Sequence, residues 1–323
     1  MIENRLVTLV VFAAALVAGA VTAEGVVLDW VDVGDAGYGG VASDFYMSTY
    51  ETTNAQYCEF LNAVVPVVGD SYGLYNMEMK NNALGGIDVD AGAGYGALFS
   101  VKTGMGDKPV NFVCWYDAIR FANWMSNGQP VGTASSYTET GAYTITGGGA
   151  NSGTVGARNA GAVVWVPNDN EWDKAAYYKG GTGGQYWTYA TRSDTTPTAE
   201  APAGGSNSAN FTGDMGLDGY VYSSPGPEDV GAYVGSYSAY GTFDQNGNVW
   251  EWNEVLIGSN APLAGAGWSS SSTNLTMRLT SLSAATEGDF AGFRVASNVP
   301  EPTTIGLIGL GIMGLVSRRQ RKA

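Results

Sequence analysis

Histidine is absent from this chain of 323 residues. Without an imidazole, the protein can form neither a Ser-His triad nor a histidine-ligated zinc or iron site, and it has no histidine general base. Cysteine is almost as rare, with only Cys58 and Cys114 in the sequence. Two cysteines allow a single disulfide and exclude a cysteine-rich metal cluster. Both lie in amphipathic segments typical of buried helix residues, and the sequence leaves open whether they are bonded.

Basic residues are scarce as well. The chain has 15 Lys and Arg residues against 30 Asp and Glu residues, and 5 of the basic residues lie in the two terminal segments. Such an acidic body repels phosphate backbones, so we expect no nucleic-acid partner, although it is compatible with divalent cations. Hydrophobic residues make up 45% of the chain and 47 residues are glycine. This composition indicates a globular, loop-rich protein rather than a disordered one.

The first 23 residues are typical of a secretory signal. Arg5 precedes the apolar sequence LVTLVVFAAALVAGA, and the small residues VTA follow it. We therefore interpret residues 1–23 as a signal peptide, with cleavage expected after Ala23, and we expect the protein to be exported.

The C-terminal segment, 299–323, has the layout of a second sorting signal. It contains a Pro-Glu-Pro motif, an apolar run of 12 residues over 305–316 and a basic end. The run is shorter than the roughly 20 residues that cross a bilayer as a helix. The layout resembles the bacterial PEP-CTERM signal, which implies processing by an exosortase-type enzyme, transient membrane anchoring, and release to the matrix or retention at the cell surface. An ordinary short tail anchor is the alternative.

The body, residues 24–298, is predicted to be one α+β domain. Three segments, 53–65, 115–125 and 168–179, combine helical periodicity with cap or stop signals. The rest is expected to form short strands and turns, including a hairpin predicted over 136–146. Residues 180–247 contain no convincing helix, which is unusual in a compact domain unless something holds the loops together.

A bound cation could hold such loops. Calcium takes about 6–8 oxygen ligands, many of them backbone carbonyls, and suits turns rich in Asn, Asp and Gly. The sequence NGNVWE, 246–251, offers such oxygens, and so does ANFTGDMGLDGY, 209–220. The alternative is that Glu251 is a hydrogen-bonded carboxylate between two core tryptophans. The residues alone leave both interpretations open.

Five blocks in order resemble the formylglycine-generating enzyme family, also called sulfatase-modifying factors. The blocks are YETTNAQYCEFLNA (50–63), KPVNFVCWYDAIRFANW (108–124), VPNDNEWDKAAYYKGG (166–181), AYGTFDQNGNVWEW (239–252) and AGFRVA (291–296). The resemblance covers nearly the whole body. It implies a single irregular C-type-lectin-like α+β domain, rich in loops, with about three helices and short antiparallel strands, stabilised by calcium.

The resemblance also implies two calcium sites, whose predicted ligands can be named by position. The first site would use Asn210, the carbonyl of Phe211, Asp218 and the carbonyl of Tyr220. The second site would use Asn246, Gly247, Val249 and Glu251.

The family's reaction is not expected in this chain. Active members bind copper through two cysteines shortly after a GGS motif and use oxygen to oxidise a substrate cysteine. The corresponding segment here is GAGWSSSSTNLTMRL, 265–279, where Gly267 replaces the motif serine and the cysteine positions fall near Ser270 and Leu275. Copper(I) prefers soft thiolate ligands. We therefore expect no copper and identify no catalytic residue.

Two functions follow as hypotheses. The first is a secreted or surface-bound, calcium-stabilised binding module whose ligand is an exopolysaccharide, a peptide or another protein. Its candidate contact surface is the serine-rich loop 268–274 with Trp268, because aromatic faces suit sugar rings and peptides. The alternative is a formylglycine-generating oxidase that acts on a sulfatase cysteine.

Overall fold

The computed structural model describes residues 25–213, 225–276 and 280–299. The predicted signal peptide, and the C-terminal segment from residue 300 onward, lie outside these ranges. Among the described residues, no helix combines the length and the apolar character needed to cross a lipid bilayer.

The described residues form four α-helices and two 3-10 helices. The α-helices are α1 (Asn54–Val64), α2 (Glu78–Asn81), α3 (Trp115–Ser126) and α4 (Asp169–Tyr177), and the 3-10 helices are Ser135–Tyr137 and Ser272–Thr276. The three helices predicted from the sequence are confirmed as α1, α3 and α4. Helix α2 was not predicted because it is a single turn of four residues, too short to show helical periodicity.

Local capping explains where two of these helices begin. The Thr53 hydroxyl accepts a hydrogen bond from the N–H of Gln56, whose side chain in turn accepts one from the N–H of Thr53. Asn168 and Glu171 form the same reciprocal capping box at α4. Such boxes satisfy N–H groups that have no partner inside the helix.

Fourteen short strands complete the described chain. They are β1 (Trp30–Val33), β2 (Phe45–Ser48), β3 (Ile87–Val89), β4 (Phe99–Val101), β5 (Ile145–Gly149), β6 (Ser152–Val155), β7 (Val164–Trp165), β8 (Thr198–Ala199), β9 (Ser208–Ala209), β10 (Trp250–Trp252), β11 (Asn260–Ala264), β12 (Thr280–Ser283), β13 (Ala291–Gly292) and β14 (Ala296–Ser297).

The strands form two four-stranded sheets and three two-stranded pairs. The first sheet has the order β1-β2-β14-β7 and is antiparallel throughout, and the second has the order β12-β11-β10-β13. Pairing is parallel between β10 and β13 and between β8 and β9, and antiparallel elsewhere. The chain crosses from the second sheet to the first over residues 293–295, between β13 and β14.

The predicted hairpin over 136–146 was wrong in position. The hairpin is formed by β5 and β6, which begin at residue 145. The residues before it form a 3-10 helix followed by turns, because the Asn127 side chain in the loop after α3 donates to the carbonyls of Ser136, Tyr137 and Thr140 at 2.7–3.2 Å. These side-chain contacts take the place of strand pairing.

An aromatic cluster forms the centre of the hydrophobic core. Tyr57 and Phe60 of α1 pack against Phe121 and Trp124 of α3 and against Phe293, with ring centroids 5.2–6.3 Å apart. Phe293 follows β13 directly, so the core fixes the segment that links the two sheets against both long helices.

Candidate functional site

Glu251 lies in the middle of β10 and is completely shielded from solvent, with an exposed fraction of 0%. Side chains alternate along a strand, so Trp250 and Trp252 face away from it. Trp252 donates from Nε1 to the carbonyl of Val113 at 3.0 Å and belongs to the core beside α3. The carboxylate therefore occupies the other face of the strand, among polar partners.

Arg294 is the charged partner of Glu251. Its Nε donates to Oε2 at 2.6 Å and its Nη2 donates to Oε1 at 2.7 Å, while Trp172 Nε1 donates to Oε2 at 2.8 Å. The other guanidinium N–H groups donate to backbone carbonyls of Ser48, Thr49 and Phe243. All five N–H groups thus have an acceptor, which offsets the desolvation of the buried pair.

Two further carboxylates lie close to this ion pair. Glu51 is buried and accepts hydrogen bonds from Asn248 Nδ2 at 2.9 Å and from the N–H of Val249 at 3.3 Å. Burial raises the pKa of Glu51 well above its usual range, and the negative charges of Asp244 and Glu251 raise it further. Burial also raises the pKa of Asp244 to about 6. This part of the molecule therefore holds more acidic than basic groups.

Half of the first predicted calcium site is described. Asp218 and Tyr220 lie outside the described residues, whereas Asn210 and Phe211 are both buried. The Asn210 carbonyl accepts a hydrogen bond from the N–H of Asn248 at 2.8 Å, and its Nδ2 donates to Asn248 Oδ1 at 3.2 Å. Asn210 is therefore bonded to the turn that carries the second predicted site.

The second predicted site is described completely. The Asn246 amide oxygen accepts a hydrogen bond from the N–H of Ala190, and its Nδ2 donates to Tyr177 Oη and to the carbonyl of Leu275. Gly247 has a φ of +121°, and a Cβ there would lie 2.3 Å from the carbonyl oxygen of Asn210. Only glycine fits so close to another backbone segment. The structure thus brings Gly247 of the second site into contact with Asn210 of the first.

The oxygen atoms of this region are the candidate ligands of the predicted calcium ion. Among the described residues, Glu251 Oε1 and Asn246 Oδ1 each accept one hydrogen bond, so each keeps a lone pair. A polar cavity of about 10 Å³, room for one water-sized particle, is lined in part by Asn210, Asp244, Asn246 and Gly247. Val249 is buried next to them. Calcium binding by these residues remains a prediction.

Three charged residues of this region were not identified from the sequence as site residues. Glu51 and Asp244 both stand inside blocks that carry the family resemblance, and Asp244 precedes Asn246 by two positions. Arg294 stands in the last block and is 43 residues from Glu251. Their position inside the blocks that carry the family resemblance was a signal in the sequence. That signal does not show which charged residues contact each other in the fold.

The two residues near which the resemblance places the family's copper-binding cysteines, Ser270 and Leu275, offer no thiol. Ser270 is buried, and its hydroxyl accepts a hydrogen bond from the N–H of Gly267 at 3.0 Å. Leu275 has an exposed fraction of 0% and packs in the hydrophobic core. Both cysteines, Cys58 and Cys114, are free and buried elsewhere, and burial raises the pKa of Cys58 to about 12.

Comparison with known families gives two matches along the chain. Residues 39–299 match the family described as sulfatase-modifying factor enzyme 1-like domain. Residues 298–322 match the PEP-CTERM protein-sorting motif. Both resemblances drawn from the sequence are thereby confirmed, and with them the expected α+β fold of the C-type-lectin-like kind. A search of curated proteins finds no significant match.

Solved structures with a similar backbone include Treponema denticola variable protein 1, CarF, and PvdO from Pseudomonas aeruginosa. The first is 18% identical, with a TM-score of 0.49, and covers 85% of this chain and 93% of that one. CarF is 20% identical, with a TM-score of 0.48 and coverages of 84% and 97%. PvdO is 17% identical, with a TM-score of 0.45 and coverages of 80% and 82%.

Removal of the Arg294 charge is expected to destabilise the protein strongly. Arg294→Met leaves the Glu251 carboxylate buried without a cation, and we expect a loss of about 3–5 kcal/mol in the free energy of unfolding, measured by urea denaturation. The control is Lys80→Met, which breaks the exposed Lys80–Asp88 pair and should cost no more than about 1 kcal/mol. Arg294→Lys, which keeps the charge but not the paired geometry, should fall between them. Equal losses in Arg294→Met and Lys80→Met would contradict a structural role for the pair.

Proposed function

This chain belongs to the sulfatase-modifying factor enzyme 1-like family, and from that membership we propose that it is a catalytically silent member that binds an extracellular ligand. The PEP-CTERM motif marks an exported protein that is processed by an exosortase-type enzyme and associates with the membrane through its C-terminal segment. The proposed location after processing is the cell surface or the extracellular matrix. The proposed ligand is a polysaccharide, a peptide or another protein.

The observation that carries this proposal is the chemistry at the two positions of the family's copper ligands. The Ser270 hydroxyl is already bonded to the backbone of its own turn, and the Leu275 side chain is hydrocarbon packed in the core. Neither supplies the thiolate that copper(I) prefers. Cys58 lies on α1 and Cys114 precedes α3, so neither belongs to the segment 265–279.

Calcium is the proposed structural cation of the domain. The excess of acidic groups around Arg294, together with the lone pairs left on Glu251 and Asn246, supports binding of a hard divalent cation. The carbonyls of Gly247 and Val249 complete the predicted second site, and the partly buried Asp244 adds a carboxylate in the same turn. A cation here would neutralise carboxylates that now share one guanidinium.

The proposed ligand surface is the loop 268–274. Its Trp268 is half-buried and donates from Nε1 to the carbonyl of Asp289 at 3.4 Å, while Ser269 and Thr273 are exposed. An indole held in place at its edge, among small polar residues, loses little entropy when a sugar ring or a peptide stacks on it.

The absence of oxidase activity can be tested directly. The purified full-length chain, supplied with copper and oxygen, is incubated with a peptide that carries a sulfatase motif, and the peptide is analysed by mass spectrometry. We expect its cysteine to remain unchanged, because the thiolates needed for copper are missing. Conversion to formylglycine by the wild type would overturn catalytic silence. If the double variant Cys58→Ser/Cys114→Ser still converted the peptide, the conversion would not depend on the thiols of Cys58 and Cys114.

Calcium binding can be tested by thermal melting. We expect EDTA to lower the melting temperature and added Ca²⁺ to restore it, because a ligand that binds only the folded state stabilises it, by about 2.7 kcal/mol at a hundredfold excess over Kd. Asp244→Asn should reduce the calcium-dependent shift, whereas the matched control Asp88→Asn, at an exposed position of β3, should not. A melting temperature that is unaffected by EDTA and by Ca²⁺ would rule out a structural calcium site.

The ligand surface can be tested with a glycan and peptide screen on the calcium-loaded protein. We expect binding to be weakened by roughly tenfold or more in Trp268→Ala, because a tryptophan that a bound ligand covers contributes a large share of the affinity. Trp187→Ala is the matched control, since Trp187 is also a half-buried tryptophan outside the loop. Equal binding by Trp268→Ala and the wild type would show that the loop 268–274 is not the ligand surface.

A further inference from the structure

Three side chains with metal-ligating atoms meet at the N-terminus of α3, away from the region described above. They are Cys114, Asp117 and Glu287, and one ligand atom from each lies within 4.8 Å of the others. Cys114 and Asp117 have exposed fractions of 0%, and Glu287 is half-buried. The cluster is therefore enclosed on the helix side and reaches solvent on the side of Glu287.

One oxygen in this cluster is buried without a partner. Asp117 Oδ2 accepts a hydrogen bond from the N–H of Cys114 at 2.8 Å, which is its capping contact. Among the described residues, Asp117 Oδ1 has no hydrogen-bond partner. A buried acceptor that lacks a partner costs free energy and calls for an explanation. A ligand held at Oδ1 would provide one.

The identity of Cys114 also needs an explanation beyond capping. Residues that cap helix N-termini well are Ser, Thr, Asp and Asn, whose oxygen atoms accept hydrogen bonds strongly. A thiol is a weak acceptor. The Cys114 thiol donates to Asn151 Oδ1 at 3.5 Å, and its sulfur lies within 4.8 Å of a carboxylate oxygen of Asp117 and of Glu287. A thiol at this position is a weak helix cap, whereas a sulfur atom is a good ligand for a transition-metal ion.

The carboxylate of Glu287 is held in place by two amides. Asn76 Nδ2 donates to Glu287 Oε2 at 2.6 Å, and Asn151 also hydrogen-bonds the carboxylate. Contacts of this kind orient ligating carboxylates in metal sites.

The local electrostatics favour a cation. Asp117 and Glu287 place two carboxylates within 4.8 Å of the Cys114 sulfur. The charge of Arg120 acts on Asp117, but the ion pair of this guanidinium is with Glu139, at 2.7 Å between Arg120 Nε and Glu139 Oε1. Among the described residues, the two carboxylates of this cluster form no ion pair with a cationic side chain.

We propose that Cys114 Sγ, Asp117 Oδ1 and a Glu287 carboxylate oxygen bind a divalent transition-metal ion of the zinc class. One sulfur and two carboxylate oxygens suit Zn²⁺, and three protein ligands leave the fourth position open to water. Ligand atoms in a tetrahedral zinc site lie about 3.4–3.6 Å apart, so small side-chain rotations would close the present spacing. Calcium and magnesium prefer oxygen ligands and fit less well. This site does not depend on the proposed function.

The test uses the reduced full-length chain, stripped of metal and returned to buffer with excess Ca²⁺ so that oxygen-rich sites are filled. Zn²⁺ is added, free ion is removed by gel filtration, and bound zinc is measured by elemental mass spectrometry. We expect retention of zinc in a stoichiometric amount. With Co²⁺ as a spectroscopic probe, we expect a thiolate-to-cobalt charge-transfer band in the near ultraviolet.

Matched variants separate this site from other sources of zinc binding. Cys114→Ser supplies a preferred helix cap, so the fold should persist while the cobalt band disappears and zinc affinity falls at least about tenfold. Glu287→Gln should lower zinc affinity similarly and serves as a second variant. Cys58→Ser, which changes the other cysteine, should leave both signals unchanged. No cobalt–thiolate band in the wild type, or equal zinc affinity in Cys114→Ser and the wild type, would overturn the site.

Discussion

The guanidinium of Arg294 holds together parts of the fold that have little else in common. The residue lies between β13 and β14, which belong to different sheets, and its N–H groups reach Glu251 of β10, the carbonyls at the end of β2 and the carbonyl of Phe243. A charge buried without partners costs several kcal/mol. The two sheets and the loop before β10 must therefore be in place together before this residue can be buried.

Asparagine side chains take over the role that regular structure has in other domains. Asn54 donates to the carbonyls of Met105 and Lys108, and Asn123 donates to Thr138 and accepts from the N–H of Tyr143. Each contact satisfies backbone groups in loops that no strand or helix pairs. This explains how a chain with few residues in helices and sheets maintains a closed interior, and why Asn246 and Asn248 matter to the turn that carries Glu251.

The domain keeps its family's framework, and its two cysteines lie outside the segment 265–279. The resemblance places the family's two copper-binding cysteines near Ser270 and Leu275, whereas Cys114 lies close to Asp117 and Glu287 at the start of α3. A lectin-like framework with a sorting motif fits a role in binding at the exterior of the cell. A zinc-class ion near α3 would add a second metal to a domain whose proposed structural cation is calcium, and the two sites would differ because one offers a thiol and the other only oxygens.

The helices α1 and α4 were predictable because their caps, Thr53 with Gln56 and Asn168 with Glu171, act over three residues. The family and the sorting motif were predictable because both are marked by short sequence motifs that can be read in order along the chain. The hairpin was misplaced because the Asn127 side chain, in the loop after α3, binds the carbonyls of the predicted first strand. The ion pair of Glu251 with Arg294 and the proximity of Cys114 to Glu287 involve residues far apart in the chain. The sequence by itself thus determined the local starts of helices, the fold family and the lack of copper thiols. Only the tertiary structure decided which charges meet, because partner choice in a buried site depends on long-range packing and desolvation, which no short segment encodes.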